Sequence, residues 1–164
     1  MATFSNPTAL YYGSFEDTTT HTNAGITSSN LITFNTTSGS KGVSVVNNSK
    51  ITFDNAGAYH FNLLAQFFFS GGASNYNITL WYAKNGQIVT NSAFTFTTTS
   101  AQSSQVLGNI EDILSVNAGD YIEFYWWSGA SGMTISPTAA ASNPTRPLSP
   151  SISLNMFNVG EQLI

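Results

Sequence analysis

The stretch Ala58-Tyr-His-Phe-Asn-Leu-Leu-Ala-Gln-Phe-Phe-Phe69 decides the fold of this chain. In its first half, Tyr59 and Phe61 lie on one side of an extended backbone and polar side chains lie on the other. An alternation with a period of two residues is typical of a half-buried β-strand. From Leu64 to Phe68 the second side becomes apolar as well, so we expect this strand to be covered on both faces.

Shorter β-like runs separated by turn residues fill the rest of the chain, and no window has apolar residues at helical spacing over three turns. Asn85-Gly86 suits a two-residue hairpin, because both positions of such a turn need positive φ. Four prolines make residues 137–150 an extended loop, since proline cannot donate to a sheet ladder. The predicted strands are Leu10–Phe15, Asn30–Phe34, Val43–Val46, Lys50–Phe53, Ala58–Phe69, Tyr76–Lys84, Gln87–Thr98, Gln105–Val116, Tyr121–Trp127 and Ser151–Val159.

A second predicted strand, Tyr121–Trp127, also carries large side chains on both faces. The outer face of a lone β-sandwich should be polar, so another copy of the chain is the expected cover. The alternative is that loops, such as the proline-rich one, cover these side chains. The predicted trimer-interface residues are Leu64, Phe68, Tyr121, Glu123, Tyr125 and Trp127. The predicted core, on the opposite faces of the strands, comprises Tyr59, Phe61, Leu63, Ile78, Leu80, Ile122, Phe124 and Trp126.

The composition argues against several classes of function. At 164 residues the chain suits one domain that buries roughly two-thirds of its unfolded surface. Only 7% of the residues are charged and the net charge is −4, so no basic patch is available for phosphates and we expect no nucleic-acid partner. The lack of cysteine removes disulfides and thiol nucleophiles. No run approaches the ~20 apolar residues of a membrane span, so we expect no membrane partner.

Three motifs carry a resemblance to known proteins. They are Lys50-Ile-Thr-Phe-Asp-Asn-Ala-Gly-Ala-Tyr-His-Phe61, Ile78-Thr-Leu-Trp-Tyr-Ala-Lys-Asn-Gly86 and Val116-Asn-Ala-Gly-Asp-Tyr-Ile-Glu-Phe124. In this order they resemble the jelly-roll superfamily that unites tumour necrosis factor with the globular heads of complement. The opening Tyr11-Tyr-Gly-Ser-Phe15, followed by Phe34-Asn-Thr-Thr, is similar to small virion proteins of tailed bacteriophages with this fold.

The resemblance implies an all-β, ten-stranded jelly-roll sandwich of the TNF-like type that assembles as a tight homotrimer. Residues 10–164 are expected to form this domain and residues 1–9 an N-terminal arm. Complement heads follow a collagen stalk and a secretion signal, and the sequence contains neither. Receptor-binding phage fibres carry a long shaft, whereas here only the short arm precedes the first predicted strand.

We expect no catalytic residues. His21, in a Thr-rich loop, and His60, at a polar strand position, are interpreted as exposed or interface side chains, because no triad can be identified from their spacing. The carboxylate pairs Glu16-Asp17 and Glu111-Asp112 are sequence neighbours, so in a strand they point to opposite faces and cannot share a proton or a ligand. The sequence therefore predicts no enzyme, no metal site and no cofactor.

The favoured function is structural: a homotrimeric decoration or cement protein on the capsid of a tailed phage, made in the host cytoplasm and located on the virion surface. The arm is expected to contact the major capsid protein through Phe4, Asn6 and Pro7. One alternative is the receptor-binding knob of a phage fibre, in which Tyr76 and the loop Ser128–Gly132 contact sugars. A carbohydrate-cleaving enzyme is the other alternative, but it needs two carboxylates converging on one cleft, and none is visible.

Overall fold

The computed structural model describes residues 10–69, 71, 75–98 and 104–161. The predicted arm, with Phe4, Asn6 and Pro7, lies outside the described residues. Within the described ranges the chain forms β-strands and no helix. The strands are β1 (Tyr12–Asp17), β2 (His21–Thr22), β3 (Asn30–Leu31), β4 (Thr36–Lys41), β5 (Val43–Val46), β6 (Lys50–Phe53), β7 (Gly57–Phe69), β8 (Asn77–Lys84), β9 (Gln87–Ile88), β10 (Phe94–Thr97), β11 (Ser104–Val116), β12 (Tyr121–Ser128), β13 (Met133–Ile135), β14 (Ala141–Ser142), β15 (Thr145–Arg146) and β16 (Ile152–Gly160).

Ten of these strands build two layers that face each other. The first layer has the order β4-β1-β16-β7-β11, and the second has the order β10-β8-β12-β6-β5. Neighbouring strands are antiparallel, and many neighbours are distant in sequence, as β1 is from β16. This arrangement is that of a jelly roll. The prediction of an all-β, ten-stranded jelly-roll sandwich is therefore confirmed, with short additional strands attached to both layers.

Aromatic and aliphatic side chains fill the space between the layers. All eight predicted core residues are fully buried. The rings of Phe61 and Phe124 meet edge-on with centroids 5.2 Å apart, and those of Phe67 and Trp126 meet in the same way at 5.5 Å. Edge-to-face pairs of this kind add about 0.5–1.5 kcal/mol each beyond the area they bury. The alternation of the sequence thus assigned the inward faces of these strands correctly.

Several segments differ from the prediction; among them, residues 137–150 contain the hairpin strands β14 and β15 where an extended loop was predicted. Thr36–Lys41 forms β4 although it has no large apolar side chain, because an edge strand that is exposed along most of its length contributes little to the core. The predicted strand Gln87–Thr98 divides into β9 and β10, since Asn91 between them has a φ of 64° and breaks the extended backbone. By contrast, Asn85 and Gly86 have φ values of 51° and 78° and form the predicted hairpin turn.

Candidate functional site

The predicted interface residues lie on two opposite surfaces of the sandwich. Leu64 and Phe68 point outward from β7 in the first layer, whereas Tyr121, Glu123, Tyr125 and Trp127 point outward from β12 in the second layer. Because the two layers turn their outer sides in opposite directions, no single patch contains all six. The six residues therefore form two separate surfaces, and their place in a trimer interface stays a prediction. The two-residue period distinguishes inward from outward but does not say to which layer a strand belongs.

We call the first surface the β7 face; it consists of the outward side chains of β1, β16, β7 and β11. The strand register places four side chains in one row across it: Tyr12, Phe157, His60 and Ile113. Large apolar side chains with 39% to 59% of their surface exposed occur along the whole face, and these are Tyr12, Phe68, Leu107, Ile113 and Phe157. Leu64 lies among them and is half-buried.

A polar pair interrupts this apolar face. Nε2 of His60 lies 2.7 Å from Oε1 of Glu111, and Nδ2 of Asn62 donates to Oε2 of the same carboxylate at 3.3 Å. These hydrogen bonds lower the pKa of Glu111. The ring of His60 also packs against Phe157, with centroids 5.0 Å apart. Asp112 points the other way, into the sandwich, so the predicted divergence of Glu111 and Asp112 is correct.

The other histidine, His21, lies close to the buried carboxylate of Asp17. Nε2 of His21 is 3.4 Å from Oδ2 of Asp17 but does not have the geometry of a hydrogen bond. Asp17 is buried and accepts hydrogen bonds from the backbone N–H of Thr19, from Thr33 and from Asn35. The Asp17 carboxylate thus holds neighbouring loops together. His21 is mostly buried within the single chain, whereas the sequence predicted an exposed or interface side chain.

We call the second surface the β12 face; it consists of the outward side chains of β12, β8, β6 and β3. Tyr125 is directly opposite Trp81 in the register, and the two rings are parallel to within 14° with centroids 5.9 Å apart. Next along β12, Trp127 donates from its indole N–H to the carbonyl oxygen of Ile26 at 2.7 Å. Trp81, Tyr125 and Trp127 thus all stand on the outer side of β8 and β12 at neighbouring register positions, and we call these three rings the aromatic row.

Charged groups on the β12 face are engaged with their neighbours. Glu123 is buried; it accepts a hydrogen bond from Ser49 at 3.0 Å, and the hydroxyl of Tyr125 donates to its other oxygen at 3.4 Å. Burial and the charge of Glu123 raise the pKa of Tyr125. The ammonium group of Lys50 lies 4.3 Å from the centroid of the Tyr121 ring, a cation–π contact.

A cavity of ≈ 480 Å³ opens at the end of the aromatic row. Its walls include Ile26, Phe69, Tyr76 and the segment Gly129–Gly132. In the receptor-binding alternative, the sequence analysis named Tyr76 and the loop Ser128–Gly132 as sugar contacts. Both line this cavity. Sequence reasoning missed Trp81, because no local signal pairs two residues on strands so far apart in the chain.

Within the described ranges, no group of three or more His, Cys, Asp and Glu side chains is arranged to hold a metal ion. The same residues include no helix that is long and apolar enough to cross a membrane.

The sequence matches no protein-family model and no curated protein. Among solved structures, the chain is similar to the globular domain of the zebrafish complement 1qA protein. The two share 12% sequence identity with a TM-score of 0.52, over 93% of this chain and 98% of that one. At this level of identity the similarity demonstrates the fold alone. The chain thus has the jelly-roll fold seen in the complement C1q globular domain.

Proposed function

We propose that this chain is a non-catalytic structural protein of a virion surface, which assembles as a homotrimer and decorates the capsid of a tailed phage. The observation that carries the proposal is the β7 face, where five large apolar side chains are exposed on one surface. Soluble monomers rarely expose so many large apolar groups together, and such patches mark interaction surfaces.

A second copy of the chain is the proposed cover for this face. Fully burying a large apolar side chain is worth roughly 1.5–3 kcal/mol, so half-burying five of them provides several kcal/mol toward assembly. In a cyclic trimer each subunit uses two different patches, so the β7 face of one protomer packs against another surface of the next. The polar pair of His60 and Glu111 within this face restricts the orientation in which another subunit packs against it, because its polar groups need polar partners.

The proposed location on a capsid rests on the resemblance of two short motifs, Tyr11–Phe15 and Phe34–Thr37, to those of small phage virion proteins. A trimer suits a three-fold position on a shell, because three identical weak contacts add up to firm binding. The low charge and the abundance of Ser, Thr and Asn suit a surface that stays in solution without strong repulsion between neighbouring copies. The contact to the major capsid protein is assigned to residues 1–9.

Electron microscopy of intact particles, with and without the gene for this chain, tests the proposal. We expect density for a trimer on the capsid, and we expect particles without it to lose heat or osmotic stability while still adsorbing to their host. Loss of adsorption from particles whose shell is equally stable would contradict the proposal and favour a receptor-binding knob.

A further inference from the structure

We propose that the β12 face, together with the cavity at its end, binds a neutral glycan. This site lies on the layer opposite the β7 face, and we place the surface that packs against a neighbour's β7 face in the trimer outside the β12 face. The proposal does not rest on a capsid location, since a free trimer or monomer presents the same surface.

The aromatic row supplies the apolar half of such a site. Alternate side chains along a strand are roughly 6–7 Å apart, so Tyr125 and Trp127 stand side by side along β12. Trp81 widens the row across to β8 through its parallel ring. One face of a pyranose ring carries mostly C–H groups, which pack well on the electron-rich face of an aromatic ring.

Neutral hydroxyl groups supply the polar half. Thr79 lies directly opposite Trp127 in the register, and its hydroxyl is 3.0 Å from that of Thr95 on the neighbouring strand. Thr52 lies opposite Tyr121 at the other end of the row. Rings bordered by side-chain hydroxyls match the alternating apolar faces and hydroxyl rims of a sugar chain.

The charges on this surface select a neutral ligand. Among the described residues of these strands, Glu123 and Lys50 are the charged side chains that point outward, and both are engaged as described above. Lys84, at the end of β8, is paired with Asp120 at 2.9 Å. An anionic polymer would therefore meet a single cation, Lys50, near the carboxylate of Glu123 and no cluster of cations along these described strands. A neutral polymer needs no such cluster to bind.

The cavity provides an end point for the chain of sugars. Its volume is within the range of small-ligand sites, about 300–1,000 Å³. The ring of Tyr76 forms part of its wall and is held against Phe69 with centroids 5.0 Å apart. Trp127 connects the row to the cavity, because its ring approaches Gly129 and its N–H binds Ile26, which both line it. A terminal sugar would bind here with the remaining sugars along the row.

Affinity electrophoresis of the full chain in gels with soluble polysaccharide tests the site. The neutral probes are mixed-linkage β-glucan, α-mannan and galactomannan, and polygalacturonate is the anionic comparison. We expect retardation by at least one neutral probe and none by polygalacturonate. Trp81→Ala and Tyr125→Ala should each weaken binding about tenfold, the loss expected for one stacked ring. Trp81→Phe, which keeps a ring, should weaken it less.

Phe94→Ala is the matched control, because it removes an exposed aromatic ring from the edge strand β10 without touching the row. Its binding should equal that of the unmodified chain. The proposal is overturned if no neutral probe retards the protein, if polygalacturonate retards it equally, or if Trp81→Ala weakens binding no more than Phe94→Ala. It is also overturned if Trp81→Ala converts a trimer to monomers, since the β12 face is then a subunit interface. Particle stability does not enter any of these readouts.

Discussion

The phenolic hydroxyl of Tyr82 donates a hydrogen bond of 2.6 Å to Oδ2 of Asp112, and this bond joins the second layer to the first. Tyr82 is only 2% exposed, and burial, followed by the hydrogen bond and the charge of Asp112, raises its pKa. We expect Tyr82→Phe to lower the free energy of unfolding by about 1.5–3 kcal/mol, because a hydrogen bond to a charged acceptor is lost. Urea denaturation with an unchanged m-value measures this.

Tyr125→Phe is the control for that variant, since it removes a hydroxyl whose contact to Glu123 is longer, at 3.4 Å, and partly exposed. It should destabilise the protein less. If both variants lowered the free energy of unfolding equally, the hydrogen bond between Tyr82 and Asp112 would contribute no more to stability than the bond between Tyr125 and Glu123.

Charge on the β7 face should prevent assembly. Phe68→Asp introduces a carboxylate where the proposed trimer buries an aromatic ring, and an unpaired buried charge costs more than the lost apolar area. Because Phe68 is partly exposed in the single chain, the variant should fold and remain a monomer of 17.6 kDa. Light scattering on a sizing column measures the mass. Ile88→Asp, at an exposed position on the second layer, should leave the trimer intact, and a trimeric Phe68→Asp variant would contradict the proposed contact.

The environment of His21 predicts how stability depends on pH. Burial lowers the pKa of His21 below its ordinary 6.5, and the charge of Asp17 opposes this only in part. Between 6.5 and the lowered value the unfolded chain binds more protons than the folded one, so stability decreases as the pH falls through this window. We expect the melting temperature of His21→Gln to decrease less than that of the unmodified chain over the same window. Parallel curves for the two proteins would contradict the assignment.

Deletion of residues 1–9 tests the proposed arm. The strands of the described layers begin with β1 at Tyr12, so the truncated chain should keep its fold and its trimer mass. It should fail to bind capsids in a sedimentation assay, because the assigned contact is gone. Deletion of residues 162–164 is the control at the other terminus and should not affect binding. Full occupancy of capsids by the arm-deleted trimer would show that the arm has no anchoring role.

The inward and outward faces of the long strands could be predicted from the sequence, and the layers to which they belong could not. Tyr59 and Ile122 were placed in the core by alternation alone, and both are fully buried. Alternation is a local property, whereas the pairing of Trp81 with Tyr125 depends on a register between distant strands. For this reason the aromatic row was not visible as a site. The hydrogen bonds of Asp17 could not be predicted from the sequence either, because the donors Thr19, Thr33 and Asn35 come from separate loops.

The position of β16 between β1 and β7 has a consequence for synthesis of the protein. β16 comes last in sequence among the described strands and lies in the middle of the first layer, so β1 has only β4 as a partner until β16 has been synthesised. Such pairing of strands distant in sequence makes folding slow and delays completion of the first layer until β16 has been synthesised. A polypeptide that terminates before Ile152 leaves two open strand edges facing a gap, and unpaired edges of this kind promote aggregation. Termination before Ile152 is therefore as damaging to this fold as loss of its first half.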